Sequence, residues 1–293
     1  NQATYLRREA DDRVAAFNAQ WNDDFHHAAH VILTGETEGY YADFAVDPVA
    51  KLGRALAEGF AFQGERSDYR GATRGEPSGD LPPTAFVNFL QNHDQIGNRA
   101  FGERLTTLAE PAALAAATAI LLLSPSPPLL FMGEEWGATT PFLFFCDFAG
   151  TLGVAVRDGR RREFAKFSAF ATDAAMAAIP DPIAPETFAT SQLDTHLPAT
   201  PAIRRLLDIR RQEIVPRLPG MHGGAQYTVE ATRLVVTWRL GDGSALTLVA
   251  NLGPVATTAP AQSNIGRILW GRNVNAATLP PWTVVWTLAE AGP

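Results

Sequence analysis

The sequence predicts an α/β chain that ends in a small antiparallel β domain, and three observations carry that prediction. Residues 85–90 and 129–132 are apolar almost throughout, as strands buried on both faces are. Each run closes on polar and charged residues, and a helix-length apolar segment introduced by Pro111 lies between them. Beyond about residue 219, helical spacing gives way to alternation, with Gly and Asp at the turns.

In chain order, residues 3–17 are rich in Arg, Glu, Asp and Ala and read as a surface helix. Residues 17–21 read as a short strand ending in Asn22-Asp23-Asp24, and 24–34 as a helix. In 48–62, Leu52, Leu56, Phe60 and Ala61 recur at helical spacing. Residues 64–83 are dense in Gly, Arg, Ser and Pro and read as a long loop. The strand at 85–90 runs into Gln91-Asn92-His93-Asp94. The helix at 112–123 is broken by Pro127-Pro128, and the strand at 129–132 runs into Gly133-Glu134-Glu135-Trp136. Residues 141–199 are irregular apart from a helical stretch near 161–177. Thr200-Pro201 opens an amphipathic helix with Ile203, Leu206, Leu207 and Ile214 on its inner stripe, closed by Pro216 and Pro219. Strands are expected at 233–240, 245–252 and 282–288, the first two joined by the turn Gly241-Asp242-Gly243-Ser244. Buried strands joined by helices imply parallel pairing. Polar residues just past the strand ends match the active-site face of a (β/α)8 barrel or of an open doubly wound sheet, and the pattern alone does not choose between them.

The 293 residues are 46% hydrophobic and 19% charged, enough apolar material for a sizeable core. A formal net charge of −7 argues against nucleic acid or an anionic membrane as partner, since both need clustered Lys and Arg. The one cysteine, Cys146, has no internal disulfide partner and reads as a small buried apolar residue. No run of about 18 apolar residues marks a membrane span, and no basic-then-apolar segment opens the chain, so the cytoplasm is the expected compartment. The chain opens on Asn-Gln-Ala-Thr rather than Met and enters a charged helical pattern at once, as a cut inside a domain would.

Three clusters carry candidate chemistry. In Asn92-His93-Asp94-Gln95, with Asn98, Arg99, Glu103 and Arg104 downstream, a rigid Asp beside a His offers hydrogen bonds to neighbouring sugar hydroxyls and a fixed charge for a developing cation. Asp94 is equally a candidate turn cap. Trp21-Asn22-Asp23-Asp24-Phe25-His26-His27, with Tyr40-Tyr41 beyond, combines aromatics that stack on sugar faces with short polar groups. The same Asp and His residues suit a metal, but adjacent histidines on a helix point about 100° apart, and the zincin glutamate is missing beside the His26/His30 pair. No metal is therefore expected. A helix start capped by Asp23 or Asp24 fits as well. Gly133-Glu134-Glu135-Trp136 contains either a proton donor or, more simply, a hydrogen-bonding corner. Phe142, Phe144, Phe145 and Phe148 read as core. There is no phosphate-binding glycine loop and no Gly-x-Ser-x-Gly elbow.

Residues 86–94, FVNFLQNHD, resemble the strand-7 motif of the α-amylase superfamily of glycoside hydrolases. The blocks NHDQIGNRAFGERL, QWNDDFHHAAHVILTGETEGYYADF and LLFMGEEWGATTPFLFFCDF narrow the resemblance to its trehalohydrolase family, over essentially the whole chain. The resemblance implies the C-terminal part of a (β/α)8 TIM barrel, with residues 17–21, 86–90 and 129–132 as strands 6, 7 and 8. It places barrel in residues 1–218 and a β-sandwich domain in 219–293. It implies that Asp94 stabilises the transition state and His93 contacts the same sugar, and that Asn22, Asp23, Asp24, Phe25, His26, His27, Gln95, Asn98 and Arg99 bind substrate. The implied reaction is hydrolysis of the α-1,4 bond next to the terminal trehalose of a maltooligosyl chain, with maltooligosyl trehalose or maltodextrin as partner and no cofactor.

The departure from the family is large. Its nucleophilic Asp and acid/base Glu follow strands 4 and 5 and would precede residue 1. Retaining glycosidases need those two groups about 5–5.5 Å apart. Three strands cannot close an eight-stranded barrel, so the chain alone is expected to be inactive and to need the missing N-terminal half. A branching-type transglycosylase, a non-catalytic maltodextrin-binding protein and a scaffold half that assembles with a second chain are the rival expectations.

Overall fold

The computed structural model describes residues 1–7, 16–164, 170, 172–260, 266–272 and 277–291. They fall into two compact units: one of Asn1–Leu90, Ala109–Leu129 and Pro201–Pro293, the other of Gln91–Leu108 and Leu130–Thr200.

In the first unit, Gln20–Trp21 pairs in parallel with Phe86–Val87, and the Asn22 amide extends the pairing by donating to the Val87 carbonyl at 2.9 Å. Asn88 then bridges Pro128 in parallel, its amide donating to Pro127 and its carbonyl accepting from Leu129. Three chain segments thus lie side by side and parallel, with helices in the connections, as in the C-terminal part of a (β/α)8 barrel. All three are shorter than expected. Phe17 is 61% exposed and stands outside the first strand. Only Phe86 and Val87 of 85–90 are strand, after a 3-10 turn at Pro83–Ala85. Residues 129–132 form no strand, and Met132 is exposed. Apolar sequence favours burial, but a strand persists only where its backbone N–H and C=O groups find partners. Among the described residues, no further strand pairs beyond Gln20–Trp21 or beyond the bridge at Pro128.

Helix α1, Asp23–Thr34, starts where the Asn22 side chain accepts the Phe25 amide and ends at Gly35, whose left-handed φ of 73° closes the last turn onto Val31. Helix α2, Pro48–Glu58, has proline in its first turn and stops at Gly59. Gly59 is required there: a Cβ would lie 2.2 Å from the ring of Phe86. The apolar helix Pro111–Leu123 is buried along most of its length, as an all-round apolar helix must be. Its C-terminal end is held by Arg210, a buried side chain that donates to the carbonyls of Leu122, Ser124, Pro125 and Ser126 at 2.5–3.3 Å. Burial lowers the Arg210 guanidinium to about 10, still cationic at neutral pH. The predicted helix at 200–214 is Pro201–Ile209, extended through Ile214 by a wider π-type turn.

The antiparallel region is a five-stranded sheet in the order Gln226–Glu230, Arg233–Arg239, Ala245–Asn251, Val284–Ala289, Arg267–Trp270. The turn between the second and third strands is an Asx turn in which Asp242 accepts from the amide and hydroxyl of Ser244. Leu234, Val236 and Trp238 form one face against α2, with the Trp238 indole donating to the Leu56 carbonyl at 3.2 Å and its ring stacked on Trp286. Val235, Val249 and Val285 form the other face and pack on Leu279 of a two-stranded sheet made by Thr257–Thr258 and Thr278–Leu279.

The second unit holds the short helix His93–Gly97 and the helices Gly150–Phe164, Asp173–Ala177 and Pro185–Thr190. Phe144 and Phe148, expected in the core, are 37% and 46% exposed, while Leu143 between them is buried. Alternation along this irregular segment turns every second side chain outward. Of the expected helices at 3–17 and 161–177, residues 8–15, 165–169 and 171 lie outside the described residues. Ala3–Leu6 is a 3-10 turn. Among the described residues no helix is long and apolar enough to cross a membrane.

Gly53 of α2 faces the sheet, and a Cβ there would come within 2.8 Å of Leu234 and 2.9 Å of Tyr227. Alanine gains about 1 kcal/mol of helix propensity and loses about 1–3 kcal/mol to overpacking. Gly53→Ala is therefore expected to lower the urea midpoint with an unchanged m-value; a raised midpoint would show that the sheet yields.

Candidate active site

The His93–Asp94 pair stands in the first turn of His93–Gly97, immediately past the strand at Phe86–Val87 and the bridge at Asn88. The turn forms because Asn92 and Gln95 make a reciprocal capping box. The Asn92 side chain accepts from the helix amides, the Asp94 amide at 2.8 Å among them, and the Gln95 side chain accepts the Asn92 amide at 3.0 Å. Its far end is clamped by Arg160, buried between the rings of Phe144 and Phe164 and donating to the carbonyls of Gly97 and Arg99. His93, Asp94 and Asn98 are exposed. Asn98 donates to Asp94 Oδ1 at 2.8 Å, which fixes the carboxylate, and Arg99 pairs with Glu103 at 3.1 Å. Gln95 is a correction: its carbonyl oxygen is committed to the cap rather than to a ligand.

Behind this turn, Gln91 is buried and its carbonyl oxygen accepts the Leu105 amide at 3.0 Å. Glu134 accepts the Phe131 amide at 2.5 Å and a hydrogen bond from Gln91. Glu135 accepts the Gly133 amide at 2.9 Å. Burial pushes the Glu134 carboxyl up to about 8, against the pull of those hydrogen bonds and of Arg104. Arg104, 1% exposed, donates to the carbonyls of Met132 and Thr140 and lies over the Phe131 ring. The cluster is the hydrogen-bonding corner that its sequence allowed.

The residues expected to bind substrate around α1 divide sharply. Asn22, Asp24, Phe25 and His26 are buried, and each is spoken for. Asn22 caps α1 and donates to the Gly59 carbonyl and to Asn88. Asp24 accepts the amides of Ala61 and Phe62, both at 3.0 Å, and pairs with Arg74. Arg74 in turn lies over the rings of Phe44 and Phe62, 3.9 Å from Asp43. Phe25 lines the apolar interior. His26 contacts the Leu90 carbonyl through Nδ1 at 2.6 Å and the Tyr41 hydroxyl through Nε2 at 3.0 Å. A carbonyl only accepts, so Nδ1 carries the proton and Tyr41 donates to Nε2. Burial, helped by His27 and His30, holds the His26 imidazole well below its usual range and neutral. Sequence position next to a strand end pointed these four side chains at a ligand, but the helix turns three of them inward and uses the fourth as its cap. Asp23 and His27 keep partial exposure, with His27 lowered to about 3 by burial and by Arg74 and stacked on Phe44. Trp21 and Tyr40 are 45% and 39% exposed. Among the described residues no group of three or more His, Cys, Asp or Glu is placed to hold a metal ion.

A family model described as a domain of unknown function (DUF3459) matches residues 222–286. The chain is 45% identical over 201 residues to a malto-oligosyltrehalose trehalohydrolase of Rhizobium sp. (strain M-11), covering 68% of the chain and 33% of that protein. It is 44% identical over 209 residues to the Deinococcus radiodurans protein of the same name, covering 67% and 33%. It thus spans about a third of the length of the curated relatives it matches. A 1.4 Å crystal structure of a Salmonella typhimurium protein assigned as an alpha amylase superposes with a TM-score of 0.89 at 42% identity, over 99% of this chain and 50% of that one.

Two substitutions separate framework from candidate site. Asp24→Asn leaves Arg74 buried without its nearest charge and is expected to cost about 3 kcal/mol in chemical denaturation, whereas Asp23→Asn stays within about 0.5 kcal/mol. Equal effects would sink the distinction. Glu134, whose carboxyl is raised by folding, opposes folding increasingly as pH climbs from the unfolded-state value toward about 8. Glu134→Gln should therefore gain on the parent across that interval and keep a constant lead above it, as read from melting temperatures over a pH series.

Proposed function

We propose that this chain, a relative of the malto-oligosyltrehalose trehalohydrolases of the α-amylase superfamily, supplies strands 6 to 8 of a glycoside hydrolase barrel together with its transition-state-stabilising carboxylate. One observation carries the proposal: an exposed Asp94, oriented by Asn98, beside an exposed His93 on a turn capped at one end and clamped at the other. Breaking a glycosidic bond develops positive charge on the sugar ring. A fixed carboxylate facing that ring stabilises the charge without reorganising at the moment of reaction. His93, Asn98 and Arg99 are the neighbouring groups for hydroxyls. In the strip around α1, Asp23 and His27 are the predicted residues with surface left to offer. The substrate on this reading is maltooligosyl trehalose or a related maltodextrin, cut at the α-1,4 bond next to the terminal trehalose.

Asp94 is neither nucleophile nor proton donor in this scheme. Both of those carboxyl groups belong to strands 4 and 5, which these residues do not supply. Residues 1–218 on this reading belong to the barrel and 219–293 to a C-terminal β domain. The chain alone is expected to release no trehalose from maltooligosyl trehalose. Completed with the N-terminal segment of the Rhizobium relative, it should turn over, and Asp94→Asn should lower kcat about 10²–10³-fold with little change in KM. Turnover by the chain alone, or an Asp94→Asn enzyme of full activity, would overturn the assignment.

A further inference from the structure

We propose that Glu134 is a positioning residue for the His93–Asp94 turn, acting through the side chain of Gln91. The relevance of this to catalysis rests on the role proposed for Asp94; the tie itself does not. Gln91 precedes the capping residue Asn92 directly, and both are buried. The Gln91 side chain has two ends and both are engaged: its oxygen accepts the Leu105 amide at 3.0 Å, and its amide group donates to the Glu134 carboxyl. Glu134 is anchored in turn to its own loop, through the Phe131 amide at 2.5 Å. The chain of contacts therefore runs from the loop at 131–134, through Glu134 and Gln91, to the residue that starts the turn. The charged groups facing the Glu134 carboxyl are Arg104, from the segment following the turn, and Glu135, from its own loop. Arg104 is fully occupied at Nε and Nη1 by the Thr140 and Met132 carbonyls and leaves Nη2 without a hydrogen bond among the described residues, so it does not hold Glu134 in place of Gln91. With the carboxyl raised to about 8 by burial, Glu134 is protonated at neutral pH, where its job is that of an uncharged acceptor. Glutamine has the same shape, keeps an oxygen acceptor, and should do that job; alanine cannot.

The test is amide hydrogen exchange on the full chain, comparing the amides of Leu105 and Asp94 with those of the strand Ala245–Asn251 as reference. Glu134→Ala should speed exchange at Leu105 and Asp94 by about tenfold or more while leaving the reference strand within about threefold, and Glu134→Gln should match the parent. In the parent, once the intrinsic base dependence of exchange is removed, local opening at Leu105 should increase as pH passes about 8 and Glu134 ionises; in Glu134→Gln it should not. If Glu134→Ala does not fold, this pH comparison between two folded proteins still decides. Unchanged exchange, loss of protection spread equally over the reference strand, failure of glutamine to rescue, or identical pH courses would each overturn the tie. None of these readouts involves a sugar, so they leave the Asp94→Asn result to judge the catalytic role separately.

Discussion

The first unit depends on a charge placed where water is absent. Asp24 lies in the first turn of α1 with no exposed surface, and its carboxylate takes two backbone amides from residues 61 and 62 and the guanidinium of Arg74. Removing a carboxylate from water costs several kcal/mol unless its lone pairs are satisfied and an opposite charge is near. Both conditions are met here, and meeting them requires three separate chain segments to arrive in register. That requirement fixes the path after α2: the chain must leave at Gly59, pass under α1 at 61–62 and return at residue 74. The aromatic faces of Phe44 and Phe62 enclose the guanidinium and exclude solvent from the pair.

Much of this was readable from the residues alone. Parallel pairing followed from apolar runs interrupted by helical spacing, and the hairpin at 233–251 followed from alternation around Gly241-Asp242-Gly243-Ser244. The capping of α1 was legible because Asn22, Asp23 and Asp24 are all competent N-terminal residues, although the sequence does not say which serves. What periodicity could not supply was strand length. A run such as 86–90 is apolar for five residues, yet only two are held in a ladder, because pairing depends on a neighbour that the run itself does not encode. Strand Gln226–Glu230 was missed for the converse reason: its burial alternates weakly, and its place is set by Arg233–Arg239 beside it.

For the candidate site, the same helix start that marks a strand end also conceals which side chains face outward. Asp23 and Asp24 are adjacent and chemically identical, but a helix sends them about 100° apart, so one is partly exposed and the other is inaccessible. His26 and His27 divide the same way. By contrast Asp94 and His93 both remain exposed, because the helix they open is only five residues long and lies against little on that side. Arg160 and Tyr41 carried no signal that could have singled them out: each acts on a segment far away in sequence, through a backbone carbonyl or a ring nitrogen.

Arg210 illustrates how a cation can be locked into place without an anion. Its guanidinium spans four carbonyl oxygens distributed over residues 122–126, a span that matches a planar, forked group with five N–H bonds. A lysine ammonium is a compact point with three, so an exchange that keeps the formal charge would leave part of that carbonyl rim bare in a dry interior. At this position conservatism has to be judged by the breadth of the donor group rather than by its sign.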